Sequence, residues 1–205
     1  MEEKNYTNTI PKKEDGGNIN AESTAWLNDL ASAKSLFEIA RNRLLDVNNW
    51  KNLAGKSMAE FQLTDQSGTE IEGLAKEGLF FRIDIPGPGT KAGEGYDWVL
   101  VEKIESYQSE NIESIGIKVR PAPCPLTNKK EVAHFYSAQT TSTFTVTREN
   151  MVVTAAVYDR NTKINTDSGK LLDKLRNVLT GTAGIVAVSK IQWEMLTDGL
   201  ITPTD

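Results

Sequence analysis

Residues 97–120 read DWVLVEKIESYQSENIESIGIKVR. Two runs rich in Val, Ile and aromatic residues, 97–108 and 111–120, flank the polar turn Ser109-Glu110-Asn111, which is the chemistry of two strands joined by a short connection. No segment of helical period separates them, and parallel strands need a long crossover, so antiparallel pairing is predicted. The same texture extends outward over residues 57–160. Further strands are predicted at 57–64, 69–75, 79–85, 132–147 and 150–160, with turn signals at Asp65-Gln66-Ser67-Gly68 and Arg148-Glu149-Asn150.

Helical periods flank this strand-rich centre. Trp26, Leu30, Ala33, Phe37, Ala40, Leu44 and Val47 recur at spacings of three and four, which predicts a helix over 23–47 with Ser23 or Thr24 as its cap and Trp50 just beyond its end. Leu171, Leu175, Val178, Thr182, Ile185, Ser189, Gln192 and Leu196 do the same over 168–198. Gly199 is placed to end that second helix in a left-handed turn. Gly181 and Gly184 fall inside it, where each predicts either a bend or a close approach of another backbone. The predicted fold class is therefore α+β: a curved antiparallel sheet of about seven strands packed on a long C-terminal helix, with one N-terminal helix. Residues 1–20 are polar, carry Pro11, Gly16 and Gly17, and are expected to form a disordered tail, leaving 21–205 as a single domain.

Composition narrows the chemistry. The 205 residues carry 23 Lys and Arg against 28 Asp and Glu, a net charge of -5, and this acidic balance lacks the positive field that nucleic-acid binding needs. One His and one Cys exclude a zinc site built of those ligands alone. No window approaches the ~18 apolar residues of a membrane span, and the first residues have no apolar core, so a cytoplasmic protein without a membrane partner is expected. No cofactor is expected either. In Pro86-Gly87-Pro88-Gly89-Thr90-Lys91-Ala92-Gly93-Glu94-Gly95 the glycines resemble a phosphate-binding loop, but two prolines remove donors, Ala92 stands at the last fingerprint position, and a strand follows instead of a helix. A rigid inter-strand loop, or a rim over a pocket, is the better account. Cys124 lies in Arg120-Pro121-Ala122-Pro123-Cys124-Pro125, a stiff extended stretch with no helix start or adjacent base to make it a nucleophile.

Strand 132–147 carries the candidate site. Val132, His134, Tyr136, Ala138, Thr140, Ser142, Phe144 and Val146 share one face, which mixes aromatic, small and hydroxyl groups as a pocket wall does. The ligand-contact candidates are His134, Tyr136 and Phe144 on this face, with Tyr158 and Trp98 from the strands 150–160 and 97–108. No catalytic residue is assigned, since general-base chemistry at His134 needs an orienting acid that the sequence does not reveal.

The order helix, antiparallel strands, long C-terminal helix, together with Trp50 after the first helix, resembles the START-like helix-grip superfamily, which includes polyketide cyclase-like and ligand-binding proteins. The resemblance covers residues 23–198. It implies a cavity between sheet and C-terminal helix that binds a small apolar molecule, and a strand before the first helix, which is not evident before residue 23. The alternative is a structural or protein-interaction module with no pocket, including a homo-oligomer, because long strands must be paired or shielded at sheet edges.

Overall fold

A computed structural model describes residues 3–55, 59–85, 92–165 and 182–203. Seven strands form one sheet: β1 (Gly17–Trp26), β2 (Glu60–Thr64), β3 (Phe80–Asp84), β4 (Asp97–Gln108), β5 (Ile112–Pro121), β6 (Thr141–Glu149) and β7 (Val152–Thr162). Their spatial order is β1-β7-β6-β5-β4-β3-β2, and every neighbouring pair is antiparallel. The expected α+β class and antiparallel sheet are what the chain forms. The helices are α1 (Leu30–Leu45), α2 (Trp50–Ala54) and α3 (Thr182–Ile201), with a 3-10 turn at Val47–Asn49. Of the helix expected over 168–198, residues 168–181 lie outside the described residues, as does most of the Gly/Pro loop.

Alternation places one face of the sheet against the helices. Phe81, Val99, Ile117, Phe144, Val146 and Val157 are buried there with Leu44 and Val47. Trp50 joins the layers. Its ring centroid lies 4.7 Å from Phe144, 5.2 Å from Phe61 and 5.8 Å from Phe81, and its indole N–H donates to the carbonyls of Arg43 and Leu44. A fully buried Trp thus keeps its one donor satisfied while it fixes the turn between α1 and α2 on the sheet.

The N-terminal third departs from expectation. Residues 17–26 form a strand, not the end of a tail and the start of a helix, so the opening strand implied by the helix-grip resemblance exists. Gly, Asn, Glu and Ser give this strand a low propensity, and its stability comes from pairing with β7 over the register Asn20↔Tyr158 to Trp26↔Val152. The helix begins at Leu30, where the Asp29 side chain accepts the Ser32 N–H at 2.8 Å and caps it. Trp26, expected on a buried stripe, is instead 80% exposed.

Residues 3–16 are also ordered, contrary to the expected tail. They lie across the sheet face opposite the helices, where Thr141, Thr143, Thr145 and Thr147 point. The Thr143 hydroxyl donates to the Thr9 carbonyl at 3.0 Å. The Lys4 ammonium meets Glu149 at 2.6 Å, Tyr6 donates to the same carboxylate, and the buried Arg160 guanidinium meets Glu3 at 2.7 Å. Gly116 makes room for this segment, because a Cβ there would stand 2.3 Å from Thr9 Oγ1.

Two further segments differ. Residues 69–75, expected as a strand, make a single bridge, Thr64↔Glu70. The Asn48 side chain takes the place of a continuing ladder by accepting the Leu63 N–H and donating to the Ile71 carbonyl. Residues 132–140, expected as part of one long strand, form a loop held by two bridges, Pro123↔Val132 and Tyr136↔Ile164. Gly199 does not end α3. It sits within the helix because a Cβ there would come 2.3 Å from the Leu53 carbonyl oxygen of α2. The helix end is capped by the Arg43 guanidinium, which donates to the Gly199 and Leu200 carbonyls.

Candidate functional site

A cavity of about 90 Å³ lies between the concave sheet face and α3. Its walls are mostly apolar: Phe61, Phe81, Val99 and Phe144 from the sheet and Val188 and Trp193 from α3 are among them. One end is polar, and three elements build it.

The first is β7. Inward-facing positions alternate as Val153, Ala155, Val157 and Asp159, so the sheet itself delivers a carboxylate to the apolar interior, opposite Ser142 of β6. The second is α3, whose Trp193 Nε1–H donates to Asp159 Oδ2 at 2.9 Å. Asp159 Oδ1 has no hydrogen-bond partner among the described residues. Burial raises the Asp159 carboxyl from 3.8 to about 6, against the opposing pull of Ser142, Trp193 and the charge of Arg160.

The third is the 132–136 loop. The Asn165 amide donates to the Val132 and His134 carbonyls, and the Asn165 N–H donates to the Phe135 carbonyl at 2.8 Å. Asp97 Oδ2 accepts the Phe135 N–H at 3.2 Å. This clamp presents His134 and Tyr136 to the cavity. Burial lowers the His134 imidazole to about 3 and raises the Asp97 carboxyl to about 7, so burial favours the neutral form of each. Asp97 Oδ2 stands 3.9 Å from His134 Nδ1, but the two do not form an ion pair. Nδ1 already accepts the Tyr136 N–H at 2.9 Å, which leaves the proton of the neutral ring on Nε2. The Tyr136 hydroxyl is held above its ordinary value by burial and by the negative charge of Asp159. Ser189 of α3 faces it and opposes that rise, yet the two hydroxyls fall short of hydrogen-bond geometry, so Tyr136 Oη is buried without a partner.

Of the five ligand-contact candidates, the structure brings His134, Tyr136 and Phe144 together on the cavity. Tyr158 and Trp98 belong elsewhere. Tyr158 points to the opposite sheet face, where it packs with Ile10 and Ala156 beneath the Arg160 guanidinium. Trp98 packs with Cys124 and Ala133, and its indole N–H donates to the Gly93 carbonyl at 3.1 Å. Each is offset by one residue from an inward-facing neighbour, Asp159 and Val99 respectively. Asp159 and Trp193 were not predicted as site residues. The parity of 153–159 marks Asp159 as inward once Val157 is placed in the core. Ser189 and Gln192 on the otherwise apolar stripe of the last helix mark the face of α3 that meets the cavity.

Among the described residues no three His, Cys, Asp or Glu side chains are grouped to hold a metal ion. No described helix is long and apolar enough to cross a membrane.

A strand, a helix pair, a meander of six strands and a C-terminal helix lying in the sheet's concavity make up the helix-grip layout, as the element order predicts. Solved structures with a similar layout include a hypothetical protein from Helicobacter pylori, 13% identical over 96% of this chain and 93% of that one, with a TM-score of 0.49. Norcoclaurine synthase from Thalictrum flavum is 7% identical over 95% of this chain and 100% of that one, with a TM-score of 0.37. The major latex-like protein 151 of Panax ginseng is 15% identical over 84% of this chain and 97% of that one, with a TM-score of 0.36. At these identities the likeness concerns the arrangement of elements and not the residues of the site. No family model and no curated protein sequence matches the chain.

Proposed function

We propose that this protein binds a small, predominantly apolar molecule between the sheet and α3. The carrying observation is the cavity itself, apolar along its walls and polar at one end, beside a buried apolar core. A solid-cored interaction module has no use for such a space, which leaves wall atoms without van der Waals partners. A cavity of roughly 150 Å³ lined by aliphatic and aromatic groups accepts benzene, and about 90 Å³ is smaller than that, so the occupant is no larger than a single ring or a short chain. The one cysteine is buried and no disulfide can form, which suits a reducing, cytoplasmic setting.

Trp193 is a built-in reporter, because its indole lines the cavity. Titration with single-ring compounds is expected to change its emission saturably. Val119→Phe, which fills the cavity from the sheet side, is expected to abolish the change while leaving the folded far-ultraviolet dichroism intact. Saturable binding that survives in the filled variant would place the ligand elsewhere and defeat the proposal.

A further inference from the structure

The polar end of the cavity carries information about what occupies it. Two of its atoms are buried without partners: Asp159 Oδ1 and Tyr136 Oη. The first is an acceptor: Trp193 fixes Oδ2, and the Ser142 hydroxyl opposite falls short of hydrogen-bond geometry to Oδ1. The second carries a hydrogen and is a donor. Buried polar groups left unpaired are costly, so a ligand that answers both is preferred over one that answers neither.

The chemical classes separate on this count. A hydrocarbon leaves both atoms orphaned. A carboxylate accepts from Tyr136 but sets its charge against Asp159 in a poorly solvated space. A protonated amine donates to Asp159 but has no lone pair for the Tyr136 hydrogen. A hydroxyl group donates once and accepts as well, and so satisfies both. We propose that the occupant is an uncharged single-ring phenol or alcohol whose hydroxyl donates to Asp159 Oδ1 and accepts from Tyr136 Oη. This rests on the cavity being a binding site, and it assigns Asp159 and Tyr136 as the residues that set specificity there. His134, with its proton on Nε2, supplies a second donor at the same end.

The test uses four single-ring probes of similar size at neutral pH: p-cresol, toluene, benzoate and benzylamine, each titrated calorimetrically into the full chain. p-Cresol is expected to bind at least ten-fold more tightly than the other three. In Tyr136→Phe this advantage over toluene should fall to about three-fold or less, with toluene affinity unchanged. In Asp159→Asn the carboxamide oxygen keeps the Trp193 bond and the NH2 group replaces the bare acceptor. That variant should therefore gain benzoate binding at least ten-fold, a gain that mere loosening of the structure does not produce. Toluene within three-fold of p-cresol, or benzoate or benzylamine binding more tightly than p-cresol, would overturn the specificity assignment and leave the binding site standing. Failure of all four probes to bind would overturn the binding site and this inference with it.

Discussion

Replacing Asp159 by Asn should make the protein's stability respond differently to pH, and the size of that response follows from the burial of one carboxylate. Asp159 is fully enclosed between β7 and α3, and its carboxyl is raised from 3.8 to about 6. Between those values the folded state holds a proton that the unfolded chain has lost. Stability of the wild type therefore falls as pH rises through this window, and the advantage of the neutral acid is fully present only below the lower value. At about 1.4 kcal/mol for each pH unit separating the two, ionised Asp159 costs the folded state about 3 kcal/mol. Asparagine keeps the shape and the acceptor for Trp193 but cannot ionise. The difference in unfolding free energy, variant minus wild type, is then expected to rise by about 2 kcal/mol between about pH 4.5 and about pH 7.5. Urea denaturation followed by tryptophan fluorescence at several pH values measures it, and the other titrating groups are common to both proteins. A difference that stays flat, or that falls with rising pH, would show that Asp159 is not buried as described.

Three further outcomes are expected. Gly199→Ala should destabilise by about 1–3 kcal/mol in urea, because the methyl group meets the Leu53 carbonyl and this overlap outweighs the ~1 kcal/mol of helix propensity gained; an increase in stability would refute the close contact of α2 and α3. Gly116→Val should push the Thr7–Thr9 segment off the sheet, seen as accelerated hydrogen exchange at the Ile10 N–H, which otherwise donates to the Asn5 side chain; unchanged exchange would count against the packing. Removal of residues 1–10 takes the Glu3 carboxylate from the buried Arg160 and uncovers the threonine face, so Tm should drop by ~5 °C or more, whereas a disordered tail could be removed without effect.

The strong local signals were legible. Strand β4 spans the predicted 97–108, and β5 and β7 fall within a residue or two of prediction, since their Val, Ile and aromatic content agrees with their setting. Strand β1 was not legible because nothing local makes GNINAESTAW a strand; a partner some 140 residues away does. The tail was misread for the same reason. Its polarity is matched by Arg160, Glu149 and the threonines of β6 across the fold, and single-sequence reading has no access to that complementarity. At the site, the mixture of aromatic and polar groups in 132–144 gave His134, Tyr136 and Phe144, although through a loop and a strand instead of one strand. Tyr158 and Asp159 are neighbours on β7 and point to opposite faces of the sheet. Alternation along β7, anchored on Val157, turns Asp159 inward.

The place of β1 has a consequence for how the chain is made. β7 is the last of the described strands to leave the ribosome, and it is zipped between β6 and β1, so residues 17–26 wait for residues 152–162. With Asn20 and its partner Arg160 separated by 140 positions, that wait is on the order of ten seconds at ordinary translation rates. During it, residues 3–26 have no place to dock and β6 is an open edge. A nascent chain stopped short of residue 152 would expose both, as invitations to pairing with other chains. Closure of the sheet is therefore expected to be slow, with β1 and β7 committed in a single step.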